Sequence, residues 1–82
     1  MKIVALVKRL DKEGFRKDIY SLDGSLPSLM EGYIMKFENE RWLLMYYERG
    51  NYRLISEYAN EADACEGMYR VMSADPTTRQ IR

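Results

Sequence analysis

Hydrophobic and polar positions along the chain divide it into a helical opening, a strand-rich middle and a helical close. The middle carries the strongest pattern, Trp42-Leu43-Leu44-Met45-Tyr46-Tyr47-Glu48-Arg49-Gly50-Asn51-Tyr52-Arg53-Leu54-Ile55. It reads as a β-hairpin with apolar and aromatic side chains on both faces. A half-solvated strand should alternate apolar and polar, because successive side chains point to opposite sides of the sheet. This one does not, so each face must meet either core or partner.

Upstream, strand-like sequence runs from Glu31 to Phe37, turns at Glu38-Asn39-Glu40 and returns from Arg41 to Glu48. Arg49-Gly50 makes the next turn before a strand from Asn51 to Tyr58. Such short loops predict an antiparallel meander. Ile19-Tyr20-Ser21-Leu22 suits a further short strand, followed by turn chemistry at Asp23-Gly24. Pro27, which lacks an amide donor and restricts its predecessor, makes Ser25 to Ser28 a loop.

At the N-terminus Ile3, Leu6, Val7 and Leu10 recur at helical spacing, with Gly14 placed to end a helix and Phe15 to fold back on it. The β-branched Ile3, Val4 and Val7 would also suit a short strand. The charged run from Lys8 to Glu13 suits a helix exterior and favours the helix. At the other end Asn60 is a good N-cap, and Glu61 and Asp63 complement the positive end of a helix dipole. Ala62, Cys65, Met68, Tyr69 and Met72 then form an apolar stripe closed by Asp75-Pro76. The fold class is therefore α+β: one small domain over residues 1–76, with an N-terminal helix, an antiparallel meander of three to four strands, and a C-terminal helix packed on the sheet. Residues 77–82 read as a flexible tail.

Two-residue turns at Asn39-Glu40 and Arg49-Gly50 would sort the sheet into two faces. One carries Tyr33, Met35, Phe37, Trp42, Leu44, Tyr46 and Ile55. The other carries Ile34, Leu43, Met45, Tyr47, Tyr52, Leu54 and Tyr58. The Trp42 face, with the largest ring and fewest charges, is assigned to the core. The candidate contact surface is then Met45, Tyr47 and Tyr52, with Glu48, Arg49 and Glu57 as a polar rim. Seven tyrosines in 82 residues, four of them around this hairpin, strengthen that choice. Tyrosine contributes large contact area at low entropic cost and keeps a polar tip.

Composition narrows the chemistry. With no histidine and one cysteine, the chain cannot assemble an activated nucleophile from the usual partners, and Cys65 on its apolar stripe reads as a buried structural thiol. No zinc spacing or glycine-rich phosphate loop occurs, so no catalytic residue, metal or cofactor is assigned. The apolar run Ile3 to Val7 is shorter than a secretory core, and nothing approaches the roughly 18 apolar residues of a membrane span. A cytoplasmic protein without a membrane partner is expected. The net charge of zero hides an uneven distribution. Residues 1–17 hold six basic and two acidic side chains (+4), residues 18–69 four and ten (−6), residues 70–82 three and one (+2). Neutrality argues against direct nucleic-acid binding, which needs excess Lys and Arg to displace counterions. The acidic middle favours a basic partner.

Three segments carry a family likeness: Tyr20-Ser21-Leu22-Asp23-Gly24-Ser25-Leu26-Pro27, then Trp42 through Tyr46-Tyr47-Glu48-Arg49-Gly50, then Glu61-Ala62-Asp63-Ala64-Cys65. Together they resemble small bacterial immunity proteins of polymorphic-toxin loci, including those of contact-dependent growth inhibition. The likeness spans residues 18–72 and departs at Leu43 and Tyr47, where the family pattern is more polar. It implies a non-enzymatic protein that neutralises one cognate toxin domain, a nuclease by family association. A regulatory or ligand-binding module without a toxin partner is the alternative, and a second copy of the chain is the other candidate to cover the outer face.

Overall fold

Helix α1, Ile3–Lys12, forms from the i, i+3, i+4 spacing of its aliphatic residues and buries Leu6 and Leu10. Its end follows from Gly14 at a φ of 80°. The Phe15 amide reaches back to the Leu10 carbonyl and the Gly14 amide to Asp11, closing the last turn as a glycine-terminated helix should. Phe15 is buried, folded back as the sequence predicts. In the computed structural model, which describes residues 1–79, the chain then runs through a 3-10 turn at Lys17–Ile19 into β1 (Tyr20–Ser21). After a loop come β2 (Gly32–Glu38), β3 (Arg41–Glu48) and β4 (Asn51–Tyr58), then helix α2 (Glu61–Ala74) and a 3-10 turn at Pro76–Thr78.

The sheet order is β1-β2-β3-β4. The three long strands form the antiparallel meander, joined by two-residue turns whose central residues all have positive φ: Asn39 and Glu40 in one, Arg49 and Gly50 in the other. That left-handed geometry matches the twist of the strands it joins. The short strand differs, because β1 runs parallel to β2, with Tyr20 beside Tyr33 and Ser21 beside Ile34. The sheet is therefore mixed. At this junction Gly32 (φ 139°) is held so tightly that a Cβ would collide with the Ile19 carbonyl.

Both helices lie on one face. Leu6 and Leu10 of α1 join Ala64, Cys65, Met68 and Met72 of α2 over Tyr33, Met35 and Leu44 of the sheet, with Trp42, Tyr46 and Tyr58 partly buried at the margin. The Trp42 face is thus the core face. α2 starts where Asn60 accepts from the Asp63 amide at 2.8 Å, the predicted cap. The helices run parallel, since Glu61 at the start of α2 accepts from the Ile3 amide at 2.8 Å and Tyr69 donates to Glu13 at 2.5 Å one end further on. α1 has no side-chain cap of its own, so Glu61 satisfies one of its orphan amides from across the core.

Three expectations need correction. Ile55 is not core: a β-bulge shifts the register so that Leu44 faces Ser56 while Met45 pairs with Leu54. Ile55 is the extra residue, without a partner on β3 and 37% exposed. The same shift carries Tyr58 to the helix side, opposite Trp42, where its hydroxyl sits against Gly67 so closely that a Cβ there would overlap the ring. Finally, residues 77–79 are not a loose tail. Thr78 is buried, its hydroxyl donating to the carbonyls of Met72 and Asp75 at 2.6 and 2.7 Å, and its own carbonyl accepts from the Arg16 amide at 2.7 Å. Arg79 bridges to Phe15 and lays its guanidinium 4.3 Å over that ring. The rest of the predicted tail, 80–82, lies outside the described residues.

Candidate functional site: the outer face of the hairpin

With both helices on one side, the opposite side of β3 and β4 has no cover among the described residues. The protein measures 39 × 30 × 19 Å, and its shortest dimension is the depth of one helix layer on one sheet. Alternation along β3 aims Leu43, Met45 and Tyr47 outward. On β4 the partners of Tyr47 and Met45 are Tyr52 and Leu54, which are 57% and 52% exposed, and the bulged Ile55 next to Leu54 is exposed as well. The Tyr47 and Tyr52 rings meet at 4.8 Å with a 56° tilt, directly opposite across the hairpin as its turn predicts. The outer side of β2 is different. Ile34 is fully buried there, outside the helix-side cluster, together with Ile19 and Pro27. The Leu22–Glu31 segment folds over this half, with Gly24 against the aliphatic stem of Lys36. The face is a shelf bounded on one side by this loop and on the other by the open edge of β4.

The predicted rim is rearranged. Glu57 stands on the outer side, opposite Leu43. Glu48 alternates to the helix side; there, after burial, its charge and that of Glu31 help raise the Tyr46 phenol. Arg49 occupies the turn itself at a φ of 52°, its carbonyl accepting from the Asn51 amide side chain at 3.3 Å. Two cations outside the predicted rim, Lys36 and Arg41, also stand on this side. Both lie in register with it, Lys36 beside Leu43 and Arg41 beside Glu38, and Lys36 pairs with Glu38 at 2.7 Å. Two cations and the acids Glu38 and Glu57 leave the face electrically balanced rather than acidic. Of the four hairpin tyrosines, only Tyr47 and Tyr52 belong to it. Tyr46 packs edge-on to Tyr33 at 4.9 Å on the helix side, with the Arg53 guanidinium 5.7 Å above its ring.

The chain matches no protein-family model, no curated protein and no solved structure.

Several polar groups elsewhere are held in structural contacts. Asp23 accepts from the Ser25 hydroxyl (2.5 Å) and amide (3.1 Å) and from the Ser21 hydroxyl (2.9 Å), which together hold its carboxyl down at about 2. The Tyr33 hydroxyl donates to Asp75 at 2.8 Å, and burial first, then that carboxylate, pushes the phenol well up. Burial pushes the Cys65 thiol up as well, so it is a poor nucleophile at neutral pH. Hydrogen bonds from Tyr69 and then Arg9 hold the Glu13 carboxyl down. No group of three metal-ligating side chains converges among the described residues, and no helix there is long and apolar enough to cross a membrane. Between α1 and the loop lies an open groove of about 560 Å³, lined by Ile3, Val7, Tyr20, Leu22, Leu26 and Pro27 with Asp23, Ser25 and Ser28 at its polar side. Nothing in the sequence pattern marks it, because its two walls come from separate elements.

Proposed function

We propose that this chain is a cytoplasmic, non-enzymatic immunity protein that binds a cognate bacterial toxin domain, a nuclease, through the outer face of β3 and β4. The observation that carries the reading is that face itself: contiguous Leu43, Met45, Tyr47, Tyr52, Leu54 and Ile55 with both helices on the opposite side. Monomeric proteins rarely leave such a patch open unless it meets a partner. Tyr47 and Tyr52 are the aromatic anchors, and Glu57, Lys36 and Arg41 form the polar rim. The likeness of the Tyr20, Trp42 and Glu61 segments to immunity proteins supplies the class of partner. The test is co-expression with the toxin domain encoded beside this chain, followed by affinity capture. The toxin should be retained and its host protected, and Tyr47→Ala or Tyr52→Ala should weaken the complex by about 1–3 kcal/mol each. Capture unaffected by both substitutions would remove the face from the reading.

The groove between α1 and the loop favours a second reading, a small ligand-binding module. A bound apolar molecule would raise the melting temperature of the wild type and leave a Val7→Trp variant, with the groove filled, unchanged. A screen of small apolar compounds that shifts neither protein would dismiss it.

A further inference from the structure

β4 is the open edge of the sheet. It is eight residues long, contains no proline or lysine and carries only two charges, Arg53 and Glu57. The opposite edge, β1, is two residues long. An edge strand presents a row of unpaired amides and carbonyls to any strand that can lie beside it, and most proteins blunt such rows with lysines, prolines or brevity. Here only the bulge interrupts it.

The bulge decides which strand fits. Tyr52 and Leu54 are on the outer face and Arg53 on the helix side; past the extra residue Ile55, Ser56 is on the helix side and Glu57 outward. A regular strand laid along this edge would match faces on one side of the bulge and mismatch on the other. A second β4 carries the same irregularity at the same place. Laid antiparallel about a two-fold axis between Leu54 and Ile55, it sets Leu54 opposite Ile55 of the second copy, Arg53 opposite its Ser56 and Tyr52 opposite its Glu57. The Tyr52–Glu57 and Arg53–Ser56 pairs then each share a face. The hydrogen-bonding phase agrees. The two-residue turn makes Glu48 and Asn51 a hydrogen-bonded pair, so alternation spends Arg53 on β3 and directs the backbone of Tyr52 outward. Past the bulge, Ser56 and Tyr58 face Leu44 and Trp42, leaving Glu57 outward. Tyr52 and Glu57 of the two copies can therefore exchange amide–carbonyl bonds. No like charges stand opposite one another, and each Glu57 carboxylate lies beside a phenol that can donate to it. Any one-residue slip brings an outward side chain against an inward one.

We infer that β4 pairs with the β4 of a second copy of this chain about that axis, joining the two sheets into one of eight strands. The pairing uses the backbone edge rather than the outer side chains of β3, so it does not depend on the toxin reading and its failure would leave that reading standing. Light scattering and native mass spectrometry on the full chain should give twice the 9.7 kDa chain mass. Ile55→Lys, which sets an ammonium beside Leu54 of the second copy and near its own symmetry mate, should give a monomer with an unchanged circular dichroism spectrum. A monomeric wild type, or an Ile55→Lys protein that still dimerises, would overturn the inference. Cysteine pairing fixes the register independently. A mixture of Tyr52→Cys and Glu57→Cys proteins should form a disulfide-linked dimer under mild oxidation. Either variant alone should not, because like positions lie roughly 13–16 Å apart across the axis. Equal cross-linking in the separate variants would exclude this register.

Discussion

At the scale of single residues, a few contacts settle how closely the layers approach. Gly67 stands in the second turn of α2, where glycine is a poor helix former, yet the Tyr58 ring occupies the space its Cβ would need. Alanine at 67 therefore gains about 1 kcal/mol of helix propensity and displaces a ring. Gly67→Ala should destabilise the wild type by about 1–3 kcal/mol through overpacking, yet stabilise a Tyr58→Ala protein by about 1 kcal/mol. Urea denaturation of the four proteins reads the change of sign; the same sign in both backgrounds would mean that the ring moves freely. Asp23 gives a pH-dependent counterpart. Its folded value of about 2 lies below its ordinary 3.8, so its contribution is complete above 3.8 and is lost as pH falls toward 2. The stability gap between wild type and Asp23→Asn should be constant near neutrality and should narrow between pH 4 and 2, as thermal melts across that range would record.

At the scale of elements, sequence and structure agree wherever a local rule decides the outcome. Gly14 ends α1, Asn60 caps α2, and the two turns have the lengths that set Phe37 against Trp42 and Tyr47 against Tyr52. They part where two elements must be known at once. The Leu54-Ile55 doublet followed by Ser56 was a legible break in alternation, but only the pairing with β3 makes it a bulge rather than a shift of the whole strand. Thr78 reads as a polar tail residue, and its burial depends on two carbonyls at the end of α2 that no pattern in residues 76–79 reveals. Thr78→Val keeps the shape and removes the donor, so it should cost about 1–3 kcal/mol. A melting temperature equal to wild type would return residues 76–79 to the status of a tail. Trp42→Ala should cost about 3 kcal/mol, the lower end for a large aromatic, because Trp42 is only half-buried and rests on Phe37, itself 57% exposed.

At the scale of the whole molecule, the candidate site was half legible. The absence of alternation in β3 marks Met45, Tyr47 and Tyr52 as a second hydrophobic face, and the helices do leave that face open. The rim was legible but misassigned: Glu48, next to the outward Tyr47, alternates to the helix side, and the register set by the Asn39-Glu40 turn already aligns Lys36 and Arg41 with the outward Ile34 and Leu43. The acidic middle of the chain therefore does not concentrate on the shelf. Association of a partner at this face should proceed near the unsteered range of about 10⁵–10⁶ M⁻¹s⁻¹ and change little with salt. Stopped-flow rates at low and high ionic strength would show this, and a steep fall with salt would place the contact on another surface.

The parallel docking of α1 on α2 also sets an order of events during synthesis. α1 leaves the ribosome before α2, but the carboxylate that caps it belongs to Glu61 and the side chains it packs on begin at Ala64. At about 5–20 residues per second, the intervening stretch takes roughly 3–12 s to emerge. During that time the meander can zip up through its short turns, while a ten-residue helix is too short to persist alone. The earlier-made of the two helices thus waits for the later one before it is fixed in place, and Leu6 and Leu10 stay in the open until α2 arrives to cover them.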